Sequence, residues 1–117
     1  MSAEYGMNEK ISKITESLRK ISPYKIILFG SYLGDRQRED SDVDLLVILD
    51  SEDVPKTYEE KMENRLFVRR SVYDCNREIP IDLFVYTKGE YDIVSSQQGS
   101  FLSKIEKVGR VLYEKRD

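Results

Sequence analysis

Ile11, Ile14, Leu18 and Ile21 recur at i, i+3, i+7 and i+10. That spacing lines one face of a helix and predicts one from about Asn8 to Ile21. Asn8 is its expected N-cap, and Ser22-Pro23 ends it because a residue before proline avoids the α region. The pattern then changes to short unbroken apolar runs. Lys25 to Phe29 and Asp42 to Leu49 read as buried strands, and Ile79 to Tyr86 as a third. Residues 34–41 are polar and read as a loop, as does Asp50 to Lys56 with its Pro55. Thr57-Tyr58-Glu59-Glu60 fits a capping box. It opens a helix to about Asp74, whose inner face is expected to carry Tyr58, Met62, Leu66 and Tyr73. Lys88-Gly89 is expected to break the chain before a helical stretch near Glu90 to Gln97. Phe101, Leu102 and Ile105 suggest a further helix, and Arg110 to Tyr113 a closing strand or tail. Strands alternating with helices predict an α/β or α+β fold, a small sheet with helices on at least one face.

Composition narrows what such a fold can do. At 117 residues the chain is expected to form one domain spanning 1–117. No apolar run approaches the roughly 20 residues that cross a bilayer, and the N-terminus lacks a signal-peptide core. No membrane association and a cytoplasmic location are expected. A net charge of −3 argues against duplex nucleic acid as a direct partner. The chain has no His, which removes Ser-His and Cys-His nucleophilic schemes and the usual zinc sites. Its one cysteine, Cys75, cannot form an internal disulfide and reads as a core or helix-face residue. Catalysis must therefore use carboxylates, Lys, Tyr, Ser or a bound metal.

The candidate chemistry lies where the strands end. Gly30-Ser31 follows the first strand, and ten residues later comes Asp42-Val43-Asp44, running into Leu45 to Leu49. Side chains alternate across a strand, so Asp42 and Asp44 share a face. Two neighbouring anions repel, and a hard cation is the usual reason for keeping them together. Asp82 sits in an equally apolar strand and completes a three-carboxylate cluster if that strand lies beside the second. A glycine-serine turn leaves backbone N–H groups free for phosphate oxygens, and the Ser31 hydroxyl can join them. Together the two halves describe metal-assisted transfer from a nucleoside triphosphate, with Asp82 placed to take a hydroxyl proton. Arg65, Arg69 and Arg70 stand at near-helical spacing, either as a solvated face balanced by Glu59, Glu60 and Glu63 or as a docking surface.

Gly30-Ser31, the ten-residue interval and Ser41-Asp42-Val43-Asp44-Leu45-Leu46-Val47 resemble the signature of the DNA polymerase β-type nucleotidyltransferase superfamily. With the Asp82 strand and the short length, the chain resembles its minimal (MNT) branch, found as antitoxins of HEPN-domain RNases. The resemblance implies a compact mixed sheet flanked by helices. It makes Asp42, Asp44 and Asp82 the catalytic and metal-binding carboxylates for two Mg²⁺ ions. Gly30, Ser31 and Ser41, with Asp42 and Asp44, become the nucleotide-binding residues for ATP. In antitoxin members the implied reaction is AMP transfer from ATP to a tyrosine hydroxyl of a HEPN toxin, held in a stable complex. One departure stands inside the motif. Gly34-Asp35 occupies the place where many members carry a basic residue and then glycine. Two other readings compete: a non-catalytic nucleotide-binding module that neutralises its partner by occlusion, and a small-molecule nucleotidyltransferase of the aminoglycoside-modifying kind.

Overall fold

The structure, a computed structural model, describes residues 7–30, 43–97 and 99–116. Helix α1 (Met7–Arg19) leads into strand β1 (Lys25–Phe29), and β2 spans Val43–Leu49. Helices α2 (Tyr58–Ser71) and α3 (Tyr73–Glu78) precede β3 (Ile81–Thr87). Helices α4 (Lys88–Ser95) and α5 (Phe101–Val108) precede β4 (Arg110–Glu114). The four strands form one mixed sheet in the order β3-β2-β1-β4. β1 runs antiparallel to both of its neighbours, whereas β2 and β3 are parallel and joined through α2 and α3. Parallel neighbours need such a crossover. No helix among the described residues is long and apolar enough to cross a membrane.

Helices cover both faces of the sheet, which is why β1 and β2 read as continuous apolar runs without alternation. On one face Ile26, Leu28, Leu45, Val47 and Leu83 pack against Ile11, Ile14 and Leu18 of α1 and Val68 of α2. On the other, Ile27, Leu46 and Ile48 pack against Tyr91 of α4 and Leu102 and Ile105 of α5. The strand parity of each residue thus decides which of two cores it enters.

Several local expectations are corrected. Asn8, expected to cap α1, is already helical. The helix stops at Arg19, short of Ile21: Ile21 N–H and Ser22 N–H turn back to Leu18 O and Arg19 O, and Ser22 adopts a left-handed φ of 51°. The single helix expected to reach Asp74 breaks at Val72 (φ −111°, ψ 13°) into α2 and α3. Its inner face is also different. Tyr58, Leu66 and Tyr73 are exposed, while Val68, Val72 and Ile79 are buried. These three fall at i, i+4 and i+11, so one apolar stripe crosses the break. Compact β-branched residues fit between α1 and the sheet, and the larger rings are left outside. Thr57 does cap α2, its hydroxyl accepting Glu60 N–H at 3.1 Å. The Glu60 carboxylate, however, accepts Lys56 N–H and does not return to Thr57. The complete capping box is at Thr87 and Glu90. Lys88-Gly89 therefore starts α4 where a break was expected, and Gly89 fits because its backbone lies against the Glu52 carbonyl.

Candidate active site

Two of the three predicted carboxylates meet on the face covered in part by α4 and α5. Asp44 pairs with Phe29 across the antiparallel ladder and with Asp82 across the parallel one. Phe29, Asp44 and Asp82 thus form one row at the same end of the sheet. Asp44 is half-buried and Asp82 exposed. Like charges directly opposed on neighbouring strands destabilise a sheet by roughly 0.2–1 kcal/mol. A cation placed between them reverses that sign.

Gly30 closes the row from the β1 side. Its φ is 84°, and a β-carbon added there would overlap Oδ2 of Asp44. Only glycine combines this left-handed backbone with such close approach to a carboxylate. The main chain at the start of the expected phosphate-binding turn is therefore pressed against one of the expected metal ligands. Asp42, Ser31 and Ser41, together with the Gly34-Asp35 departure, lie outside the described residues. Among the described residues no three acids, His or Cys converge on one point. The donor set present is two carboxylates, hard oxygen ligands of the kind that suit Mg²⁺. One of them faces solvent, and the other is seated where Gly30 lacks a β-carbon. The site fits a hard divalent cation.

An aromatic lip borders the acids. Phe29, Phe84 and Phe101 meet with ring centroids 5.4–5.7 Å apart, a mutual arrangement of tilted and edge-on rings. Phe29 is buried in one core with the fully buried Leu46, which pairs with Phe84 across the ladder, while Phe84 and Phe101 are exposed. Phe84 follows Asp82 by two residues and so shares its face; Phe29 immediately precedes Gly30. Both facts were available from strand parity, but Phe101 comes from a distant helix and gave no signal of its own. Further along the same face, burial first and the Glu90 carboxylate second push the Tyr86 phenol above its ordinary value near 10. Cys75 is half-buried against α1, its Sγ 3.5 Å from Ser17 Oγ, a packing position.

The arrangement can hold a cation at one end of the sheet, with Phe29 on the inner side and solvent on the outer. No curated protein matches the chain. The family described as "Polymerase beta, Nucleotidyltransferase" matches from residue 9 to residue 117. That span takes in β1 with its glycine, both described carboxylates and the closing strand, and it shows that the chain belongs to the polymerase beta nucleotidyltransferase family.

Proposed function

We propose that the chain is a Mg²⁺-dependent adenylyltransferase that modifies a tyrosine hydroxyl of a HEPN-domain toxin and so acts as its antitoxin. The observation that carries the reading is the row Gly30, Asp44 and Asp82: a glycine backbone held against one carboxylate, with a second in register beside it. Asp42 and Asp44 would hold Mg²⁺ on the triphosphate of ATP, with Asp82 as the third ligand. When bound, the metal neutralises the charge that develops on the phosphates. The remaining work belongs to the chain. Gly30, with Ser31 and Ser41, presents backbone and hydroxyl donors to phosphate oxygens. Asp82, the exposed member of the row, takes the proton of the incoming hydroxyl. A bond forms between that oxygen and the α-phosphorus, the α–β phosphoanhydride breaks, and pyrophosphate leaves. Phe29, which is buried, gives the row an apolar floor on its inner side.

Incubation with α-labelled ATP, Mg²⁺ and a HEPN-domain protein tests this. Label is expected on a tyrosine of that protein. Asp44→Asn and Asp82→Asn are each expected to cut transfer at least about 100-fold, the scale of general-base and charge-stabilising groups. Transfer absent in the wild type, with Asp44→Asn neutralising the toxin equally well, would replace catalysis by occlusion.

A further inference from the structure

β3 lies at the edge of the sheet, and its outer side leaves backbone groups unmet among the described residues. Val43 N–H donates to Pro80 O at 2.9 Å, and Val43 lies opposite Ile81. In a parallel ladder this pairing aims the N–H and C=O groups of Asp82, Phe84 and Tyr86 at β2. Those of Ile81, Leu83, Val85 and Thr87 therefore point outward. The ends of the outward row are closed: Ile81 N–H donates to Asn76 Oδ1 at 2.9 Å, and Thr87 N–H to Glu90 Oε1 at 3.0 Å. Leu83 and Val85, between them, find no outward partner among the described residues. Both are buried or half-buried, and backbone groups in such places are nearly always paired.

This edge is one wall of a cleft of about 270 Å³. Four consecutive residues, Leu83 to Tyr86, line it, so the wall is the strand's backbone edge and not a single face. Opposite stand Tyr58, Lys61 and Arg65, at i, i+3 and i+7 on one stripe of α2. Glu60 and Glu63 of the same helix line a different cleft, with Asp53 and Thr87. The helix thus sorts its charges and turns cations toward β3, although the chain carries a net −3. Arg65 has no carboxylate partner among the described residues, and Lys61 reaches Glu90 only at 4.0 Å.

We propose that the α2–β3 cleft docks the acceptor: an extended acidic segment of the acceptor protein adds to the sheet beside β3. Its backbone pairs with Leu83 and Val85, and a carboxylate of the segment meets Arg65. Strand addition of this kind draws affinity from main-chain bonds and specificity from flanking side chains. Val85 is three residues from Asp82, about 10 Å along a strand. A tyrosine a few residues along the added segment therefore arrives at Asp82. Two cations would neutralise too few phosphates to hold a nucleic acid, and a nucleic acid cannot pair with a strand edge. This inference rests on the transfer reading above and names where its acceptor lies.

Hydrogen exchange of the full chain, alone and with the HEPN-domain protein, gives the direct test. The Leu83 and Val85 amides are expected to exchange at least about 10-fold more slowly in the complex. Two variants follow. Val85→Pro removes one outward N–H and leaves the β2 ladder intact, as proline on an edge does. Arg65→Glu reverses the charge. Each is expected to raise the KM for the acceptor at least about 10-fold, with MgATP binding confirming an intact nucleotide site. Unchanged exchange at both amides overturns the proposal, as does a wild-type KM in Arg65→Glu. Protection by a single-stranded oligonucleotide in place of the protein also overturns it, as does protection that grows with the concentration of the chain alone. Protection by the acceptor without any label transfer keeps the docking edge and sinks the transferase reading, so the two fail separately.

Discussion

Gly30 carries two demands at once, a left-handed backbone at φ 84° and room for the Asp44 carboxylate. Alanine there costs about 1 kcal/mol for the conformation, because a β-carbon is strained at positive φ. The larger effect is local. The added methyl must displace Oδ2 of Asp44, and a shift of about 1 Å at a positioned group costs on the order of 100-fold in rate. Gly30→Ala is therefore expected to keep most of its melting temperature and its circular dichroism while losing transfer by about that factor. Transfer and thermal melting measured on one preparation check it; a variant with wild-type transfer would show that the Gly30–Asp44 contact has no part in the chemistry. The glycine, Asp44 and Asp82 were all singled out in the sequence, the glycine after one apolar run and the two acids within others. That the backbone of one touches the side chain of another was not, because contact across a ladder depends on register.

Register belongs to the elements. Periodicity marked most of the helices and strands, yet it misplaced the inner face of the 58–74 stretch: of Tyr58, Met62, Leu66 and Tyr73 only Met62 is half-buried, and packing selected Val68 and Val72. The helix itself is weakly amphipathic, with Val68 its buried residue, so the pattern there held little information. At the β3–α4 junction the reverse is true. Thr87-Lys88-Gly89-Glu90 carries the capping-box pattern, and the structure adds a third partner, the Thr87 hydroxyl donating to Asp53 O. The junction also has a pH signature. Burial, then the Glu90 carboxylate, raises the Tyr86 phenol, and the Glu52 carboxylate raises the Lys88 ammonium. With a raised folded-state pKa, both folded and unfolded Tyr86 are protonated below about pH 10, and the full stability is present there. Above it the unfolded phenol ionises first, and stability falls as pH rises through the folded value. Denaturant unfolding between pH 8 and 11 is expected to show that fall, made shallower by Tyr86→Phe and not removed, since Lys88 contributes with the same sign. A slope identical in Tyr86→Phe would mean that the phenol is as solvated folded as unfolded.

At the scale of the molecule the sheet separates two cores, and the row of Gly30, Asp44 and Asp82 borders only one of them. The mixed character of the sheet came from the family resemblance, while a small sheet with helices on at least one face was legible from the alternation of apolar runs and helical periods. The order β3-β2-β1-β4 was not, because pairing between β2 and β3 joins residues that lie far apart in sequence. The separation of cores has a consequence that two adjacent leucines expose. Leu45 and Leu46 are both fully buried on β2, identical in chemistry and opposite in parity. Leu45 packs with α1 and α2, whereas Leu46 shares the other core with Phe29 and pairs with Phe84, on the face of the acids. Alanine at either leaves a cavity and is expected to cost about 2–5 kcal/mol, within the total stability of a typical domain. The catalytic effects are expected to diverge. Leu46→Ala opens a cavity in the core of Phe29 and beside Phe84, loosening the inner side of the row and lowering transfer per folded molecule at least about 10-fold. Leu45→Ala leaves that side intact and is expected to lose less than about 3-fold once the folded fraction is taken into account. Melting curves and initial rates, both recorded well below the two melting temperatures, decide it. Equal losses of activity would mean that the two cores act as one body and that strand parity does not separate stability from catalysis.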